Sequence, residues 1–323
     1  MPLPQTVSAA QDLSAHGLPT VGAIVTADGI DFAHIHGFVR VEPDDQQFVT
    51  SLRGCLAAHP ELNSTLIVYD NNSDDGSDLY TQSLRADLQN MIVPTMPHFD
   101  ALGFTGVSVP SDSNKDMFNY ITTSICAVGP KLVLYSGRLV DLRSFLLSLE
   151  SRECKNQPLT VASGGTDLSQ PNNPTTVAQL RAGNVSVVYT SPDDALGWTA
   201  QDPGTPPDFT DFRNALTGLG LDASHLITGD AIAAHDAVLT AAKAIRLAYS
   251  AEPGSDPALP KPPDVLTQLL NLNDKSEVVP AAGGDLSFSY QGAETGNPEG
   301  KPIPVLRIPS NGTTDDQQYT TPG

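Results

Sequence analysis

Positive charge is scarce in this chain. It carries 17 Lys and Arg against 37 Asp and Glu, a formal net charge of −20 over 323 residues. Such a surface repels nucleic acid and anionic lipid, and no polybasic block offsets it, so neither is expected as a partner. Aromatic residues are few, at 6%, with one tryptophan, Trp198. Cysteine occurs three times, at Cys55, Cys126 and Cys154. None forms a C-x-x-C pair or sits with a histidine, which argues against zinc. Two readings stay open for them: one disulfide beside one remaining thiol in an exported protein, or three buried thiols. No apolar run approaches the roughly 18 residues of a membrane span. The first 17 residues lack a basic stretch and an apolar core, so no signal peptide is read there and the chain as written is expected to be soluble.

Catalytic templates are missing too. There is no G-x-S-x-G, no H-E-x-x-H and no P-loop lysine, and Ser163-Gly164-Gly165 does not make a dinucleotide fingerprint. No cofactor and no enzymatic activity are therefore expected. Of the seven histidines only His34 and His36 lie close, with no thiol or carboxylate to complete a metal set, so packing or surface roles are read for them. Asp70, Asp74, Asp75 and Asp78 crowd one loop but lack the ordered calcium series closed by a glutamate; a solvated, helix-capping loop is the reading.

What the chain does contain is a repeated strand–helix pattern. The stretch Ser64–Leu88 shows its form: an apolar strand ending at Asp70, a polar loop, then a helical pattern near Tyr80. Apolar runs at Lys131–Tyr135, Leu159–Ala162 and Val185–Tyr189 read as further strands. Helices are expected at Val7–His16, Gln46–Ala58, Asp116–Ala127, Asp141–Glu150, Phe209–Leu219, Asp230–Tyr249 and Pro263–Leu272. Gly103–Val109 alternates like a strand, and 286–290 with 303–308 read as a β-hairpin. Short connections between such elements imply parallel sheets covered by helices on both faces. Ligands sit beyond the carboxyl ends of strands in such sheets. The groups placed there are Thr26, Tyr80, Arg138, Thr166 and Asp167. Together they suit a zwitterion, with hydroxyls for a carboxylate, an acid for an ammonium and a ring against the body. Each has a plain alternative: a turn cap, helix packing, an internal ion pair, a loop hydroxyl and a helix N-cap, respectively.

Several stretches, in order, resemble the type 1 periplasmic binding proteins, in particular the branched-chain amino acid receptors of ABC importers. They are Leu18-Pro19-Thr20-Val21 with Thr26-Ala27-Asp28, Phe38-Val39-Arg40-Val41-Glu42-Pro43, and Asp78-Leu79-Tyr80-Thr81. Tyr135-Ser136-Gly137-Arg138, Ser163-Gly164-Gly165-Thr166-Asp167, His235-Asp236-Ala237-Val238 and Gly284-Asp285-Leu286-Ser287-Phe288 follow. The resemblance implies two α/β lobes joined by three crossing strands near Glu42, Ser191 and Val278, with a ligand clamped between them. The lobes would be 1–43 plus 191–275, and 44–190 plus 276–309, with a disordered tail at 310–323. By position, Thr26 would bind the α-amino-acid group, Tyr80 would cover the ligand, and Thr166 or Asp167 would pair with the ammonium. Arg138 stands where many members carry an aromatic, which puts an unmodified branched-chain ligand in doubt.

The implied function is non-enzymatic capture of an amino-acid-like molecule for an ABC permease, in a parent protein outside the cell. A ligand-sensing domain of the same fold is the alternative. The family's first lobe opens with three βα units before the equivalent of Val7. Their lack here implies an incomplete first lobe. The apolar face Ile232, Val238, Leu239, Ala242 and Ile245 of the long helix would then lack a sheet to lie on, and self-association is expected through it.

Overall fold

A computed structural model describes residues 3–33, 35–57, 59, 62, 64–70, 85–87, 89, 99–104, 113–137, 139–164, 174–191, 198, 205–221, 226, 229–250, 259–273, 277–290, 295–310 and 318–320. Among these, eleven strands form two sheets, each flanked by helices.

In the larger sheet β3 (Thr65–Asp70), β4 (Phe99–Phe104), β5 (Leu132–Ser136), β6 (Leu159–Ser163) and β7 (Val185–Thr190) run parallel. β10 (Ile303–Ile308) pairs antiparallel with β7, and β11 (Gln318–Thr320) with β10. Strands covered on both faces must be apolar throughout rather than alternating. β5 and β6 are accordingly buried at every position. On one face α2 (Asp45–Ala57) sets Val49, Leu52 and Leu56 against Ile67, Leu134 and Val188. On the other, α3 (Ser113–Val128) and α4 (Leu139–Glu150) bring Phe118 and Phe145 onto Tyr135. Each such fully buried side chain contributes roughly 1.5–3 kcal/mol. α5 (Pro174–Gly183) leads into β7.

The disulfide reading holds for two of the cysteines: Cys126, in α3, is bonded to Cys154, beyond α4. Cys55 is a buried thiol in α2.

The smaller sheet has the order β1 (Thr20–Gly22), β2 (Phe38–Arg40), β9 (Thr295–Glu299), β8 (Ser287–Ser289). β1, β2 and β9 are parallel, and β8 is antiparallel to β9. α1 (Leu3–Ala15) closes before it, as the glycine signal predicts. Gly17 takes φ 68°, and Leu18 N–H reaches back to Leu13 O at 3.0 Å. α6 (Phe209–Gly218), α7 (Asp230–Ser250) and α8 (Pro262–Leu270) complete this unit.

The long helix α7 does have a sheet to lie on, which corrects the sequence expectation. Its inward stripe is Ala233, Asp236, Thr240, Ala244 and Ala248, all buried. Small residues at i, i+3 and i+4 let the helix approach the sheet closely. The buried Asp236 carboxylate accepts the N–H groups of Ala282 and Gly283, at 2.9 and 3.0 Å, tying α7 to the turn before β8. Of the face expected to be stranded, Ile232 is buried and Leu239 half-buried, while Val238, Ala242 and Ile245 are exposed. His235 packs on Phe212, at 4.6 Å between rings, in keeping with a packing role.

Four further expectations change. The hairpin is β8 with β9, not 286–290 with 303–308, and it joins β2. The stretch 276–309 therefore divides between the sheets, and the last crossing runs through Gly300–Pro302 rather than near Val278. The strand expected at Gly103–Val109 is instead Phe99–Phe104; 105–109 lie outside the described residues. In the tail, Gln318–Thr320 pairs with Ile303–Val305. No helix among the described residues is long and apolar enough to cross a membrane.

Candidate functional site

The first crossing, Val41–Asp44, leaves β2 and enters α2. Polar groups converge there. The element that fixes them is Arg40, which sits in an otherwise apolar strand and is fully buried. A buried guanidinium must find acceptors for its donors. Nη1 donates to the carbonyls of Thr26 and Ala27, at 3.0 and 3.1 Å, with a longer contact to Val25 at 3.4 Å. Nη2 donates to the Asp31 carboxylate. Arg40 thereby clamps the turn after β1 and sets Thr26 at the edge of the site. Asp45 N–H donates to Thr26 O at 2.9 Å, binding the same turn to the start of α2.

Asp44 caps α2 as the sequence allowed. Its Oδ1 accepts the Gln47 N–H at 2.7 Å, and Gln47 Oε1 accepts the Asp44 N–H at 3.0 Å, a reciprocal capping box. Gln47 Nε2 and Asn297 Nδ2 tie this corner to β9. They donate to Pro298 O at 2.9 Å and Asp44 Oδ2 at 3.1 Å. Asp28 accepts from Gln46 N–H at 3.4 Å. Asp87, in a helical turn beyond β3, reaches Asp28 from the larger unit, and the two carboxyls share a hydrogen bond. The Arg85 guanidinium lies 3.8 Å over the Tyr69 ring and anchors that turn to β3.

Asp28, Asp31, Asp44 and Asp45 thus share a single arginine, with Asp87 beyond Asp28. Arg40 pairs with Asp31 and its charge also lowers Asp28, Asp44 and Asp45, but burial outweighs it there. Burial, then the hydrogen bond with Asp87, then the Asp87 charge raise Asp28 to about 7. Burial is also the main cause that raises Asp44 to about 6. Asp45 is fully buried and is pushed well above the ordinary value, first by burial and then by the Asp28 charge; Arg40 and the Thr26 hydroxyl pull the other way. Asp87 is raised chiefly by burial. A cluster in this state takes up protons or a cationic group. One carboxylate oxygen each from Asp28, Asp31 and Asp44 lie within 4.8 Å of one another, close enough to share one cation.

Among the sequence candidates, Thr26 is placed at this site. Tyr80, Arg138, Thr166 and Asp167 lie outside the described residues. Asp28, Asp31, Asp44 and Asp87 were not singled out as ligand groups from the sequence. The available signal was Arg40 itself. An arginine inside the strand Phe38-Val39-Arg40-Val41 needs carboxylates, and Asp28, Asp31, Asp44 and Asp45 flank it along the chain.

Two α/β units joined by three crossings define the type 1 periplasmic-binding-protein fold. Solved structures of ABC transporter substrate-binding proteins share it. An amino acid ABC transporter substrate-binding protein from Pseudomonas fluorescens superposes with a TM-score of 0.67 at 14% identity, covering 100% of this chain and 76% of that one. A solute binding protein from Rhodopseudomonas palustris, in complex with p-hydroxybenzoic acid, gives 0.68 at 13% identity, covering 99% and 74%. The branched-chain amino acid transporter substrate binding protein LivJ from Streptococcus pneumoniae, in complex with isoleucine, gives 0.64 at 12% identity, covering 98% and 76%. At these identities the likeness is one of fold. No protein-family model matches the sequence, and no curated protein does.

Proposed function

We propose that this chain is a non-enzymatic solute-binding module that clamps an amino-acid-like molecule between its two units, delivering it to an ABC permease. The observation that carries the reading is the meeting of Asp28 and Asp87, one from each unit, beside Thr26 at the first crossing. Carboxylates in excess over Arg40 attract an ammonium, and a ligand that bridges both units favours the closed arrangement over the open one. The structural neighbours named above, with isoleucine or an aromatic acid bound, support a small-molecule cargo. Thr26 and Asp28 would hold the cationic end. Tyr80, Arg138, Thr166 and Asp167, which follow β3, β5 and β6 along the chain, would meet the rest of the ligand, with Arg138 taking its carboxylate. The lobes would be 1–43 with 191–275, and 44–190 with the C-terminal strands, β8 and β9 excepted. Self-association would use the exposed Val238 and Ile245 on α7.

Calorimetric titration with a panel of amino acids and small amides tests the reading. Binding of at least one, abolished by Asp28→Ala with Asp87→Ala, is the expected result. No heat and no thermal shift for any member would sink it.

A further inference from the structure

A recess opens in the larger unit, on the side of the sheet away from the strand carboxyl ends. It lies where β5, β6 and β7 begin and β10 finishes, and encloses about 610 Å³. That is within the usual range for small-molecule sites. The charge of its described lining is opposite to that of the chain. Lys131 and Arg307 line it, and no acidic residue does so among the described residues, although the whole chain has 37 acidic residues to 17 basic. In so acidic a protein, such a local surplus of cationic groups is not what the composition predicts.

The strand register explains how these groups meet. Arg307 stands opposite Val188 across the β10–β7 pair, so both project to one face of the sheet. Lys131 is held at the start of β5 by backbone hydrogen bonds, from its N–H to Ser64 O at 2.9 Å and from Thr160 N–H to its carbonyl at 3.0 Å. Ser310 N–H donates to Ser186 Oγ at 3.0 Å, fixing the end of β10 on the rim. Arg307 Nε is buried with no hydrogen-bond partner among the described residues. Leu62 and Val188 supply an apolar wall.

We propose that this recess binds a small organic anion, a carboxylate or phosphate on a compact apolar body. Arg307 and Lys131 hold the charge, and the apolar wall holds the body. A planar guanidinium with donors to spare suits an oxyanion, and the ammonium adds a second charge. The acidic cluster at the first crossing repels the same ligand, so the two sites select opposite charges. This proposal does not depend on the solute-import reading.

Phenyl phosphate, inorganic phosphate and uncharged phenol are titrated into the ¹⁵N-labelled full chain and followed by amide chemical shifts. Phenyl phosphate should move the Gly129, Gln157, Thr160 and Ser310 amides. Inorganic phosphate should move the same amides more weakly, and phenol should leave them in place. Lys131→Gln, at an exposed position, and Arg307→Gln should each weaken phenyl phosphate binding by about tenfold, the scale of one charge-assisted hydrogen bond. The Lys131 variant keeps the test valid if Arg307→Gln fails to fold. The proposal is overturned if phenyl phosphate shifts none of these amides, if the shifts fall on the acidic crossing instead, or if Lys131→Gln binds as tightly as the parent.

Discussion

Replacing Asp28 by asparagine should stabilise this protein relative to the parent, and by more at pH 8 than at pH 5. Burial and the shared hydrogen bond with Asp87 raise the Asp28 carboxyl from 3.8 to about 7. The folded state therefore binds a proton that the unfolded chain has released, throughout the window between those values. The stabilisation that this proton brings is complete below the unfolded value. It is lost as pH rises towards 7, and is gone above it. The full window corresponds to ~4 kcal/mol by linkage. Asp28 keeps partial contact with water, and only the part of the window above pH 5 is sampled, so about 2 kcal/mol is the change to look for. The substituted amide carries no titrating proton and still donates to Asp87. The stability difference between variant and parent should grow by that amount from pH 5 to pH 8. Urea unfolding followed by the fluorescence of Trp198 measures it. That indole is buried against Phe209 in the unit that holds Asp28. Taking the variant-minus-parent difference removes the general repulsion of a chain with net charge −20. An equal difference at both pH values, or one that shrinks towards pH 8, refutes the reasoning.

Other consequences can be checked with the same unfolding assay. Asp236→Ala leaves the Ala282 and Gly283 amides without their buried acceptor and should cost about 2–4 kcal/mol, with Asp236→Asn recovering part of the loss. A drop below about 0.5 kcal/mol would mean that the turn before β8 is held by other contacts. Cys126→Ser with Cys154→Ser opens a loop spanning 28 residues, and the chain-entropy account then puts the loss at ~3–4 kcal/mol. Reductant should shift the parent's unfolding midpoint in the same direction and leave the double variant unchanged.

Much of the larger sheet is legible from the chain alone. β3, β5, β6 and β7 are short continuous apolar runs because both faces are covered, and such runs do not depend on distant partners for their pattern. α2, α4 and α7 could be read because an amphipathic helix carries its own period. The hairpin β8–β9 could not. Thr295-Gly296-Asn297-Pro298-Glu299 has the composition of a loop, and it becomes a strand only because Phe38 and Val39 of β2 lie beside Thr295 and Gly296. Thr295 and Gly296 are buried by that pairing.

The site divides the same way. Local pattern was enough to mark Asp44 as a cap for α2 and to single out Thr26, which lies beside the first crossing. Density along the chain is all that a sequence displays, and the densest aspartates, those between Asp70 and Asp78, read as a solvated, helix-capping loop rather than as ligand groups. The gathering of Asp28, Asp31, Asp44 and Asp87 in one cluster beside Arg40 is a product of the folded arrangement. Carboxylates interact through space, over a few ångströms in a medium of low dielectric, whatever number of residues separates them. Fifty-nine positions divide Asp28 from Asp87 along the chain, and the crossing between the two sheets brings them within a hydrogen bond.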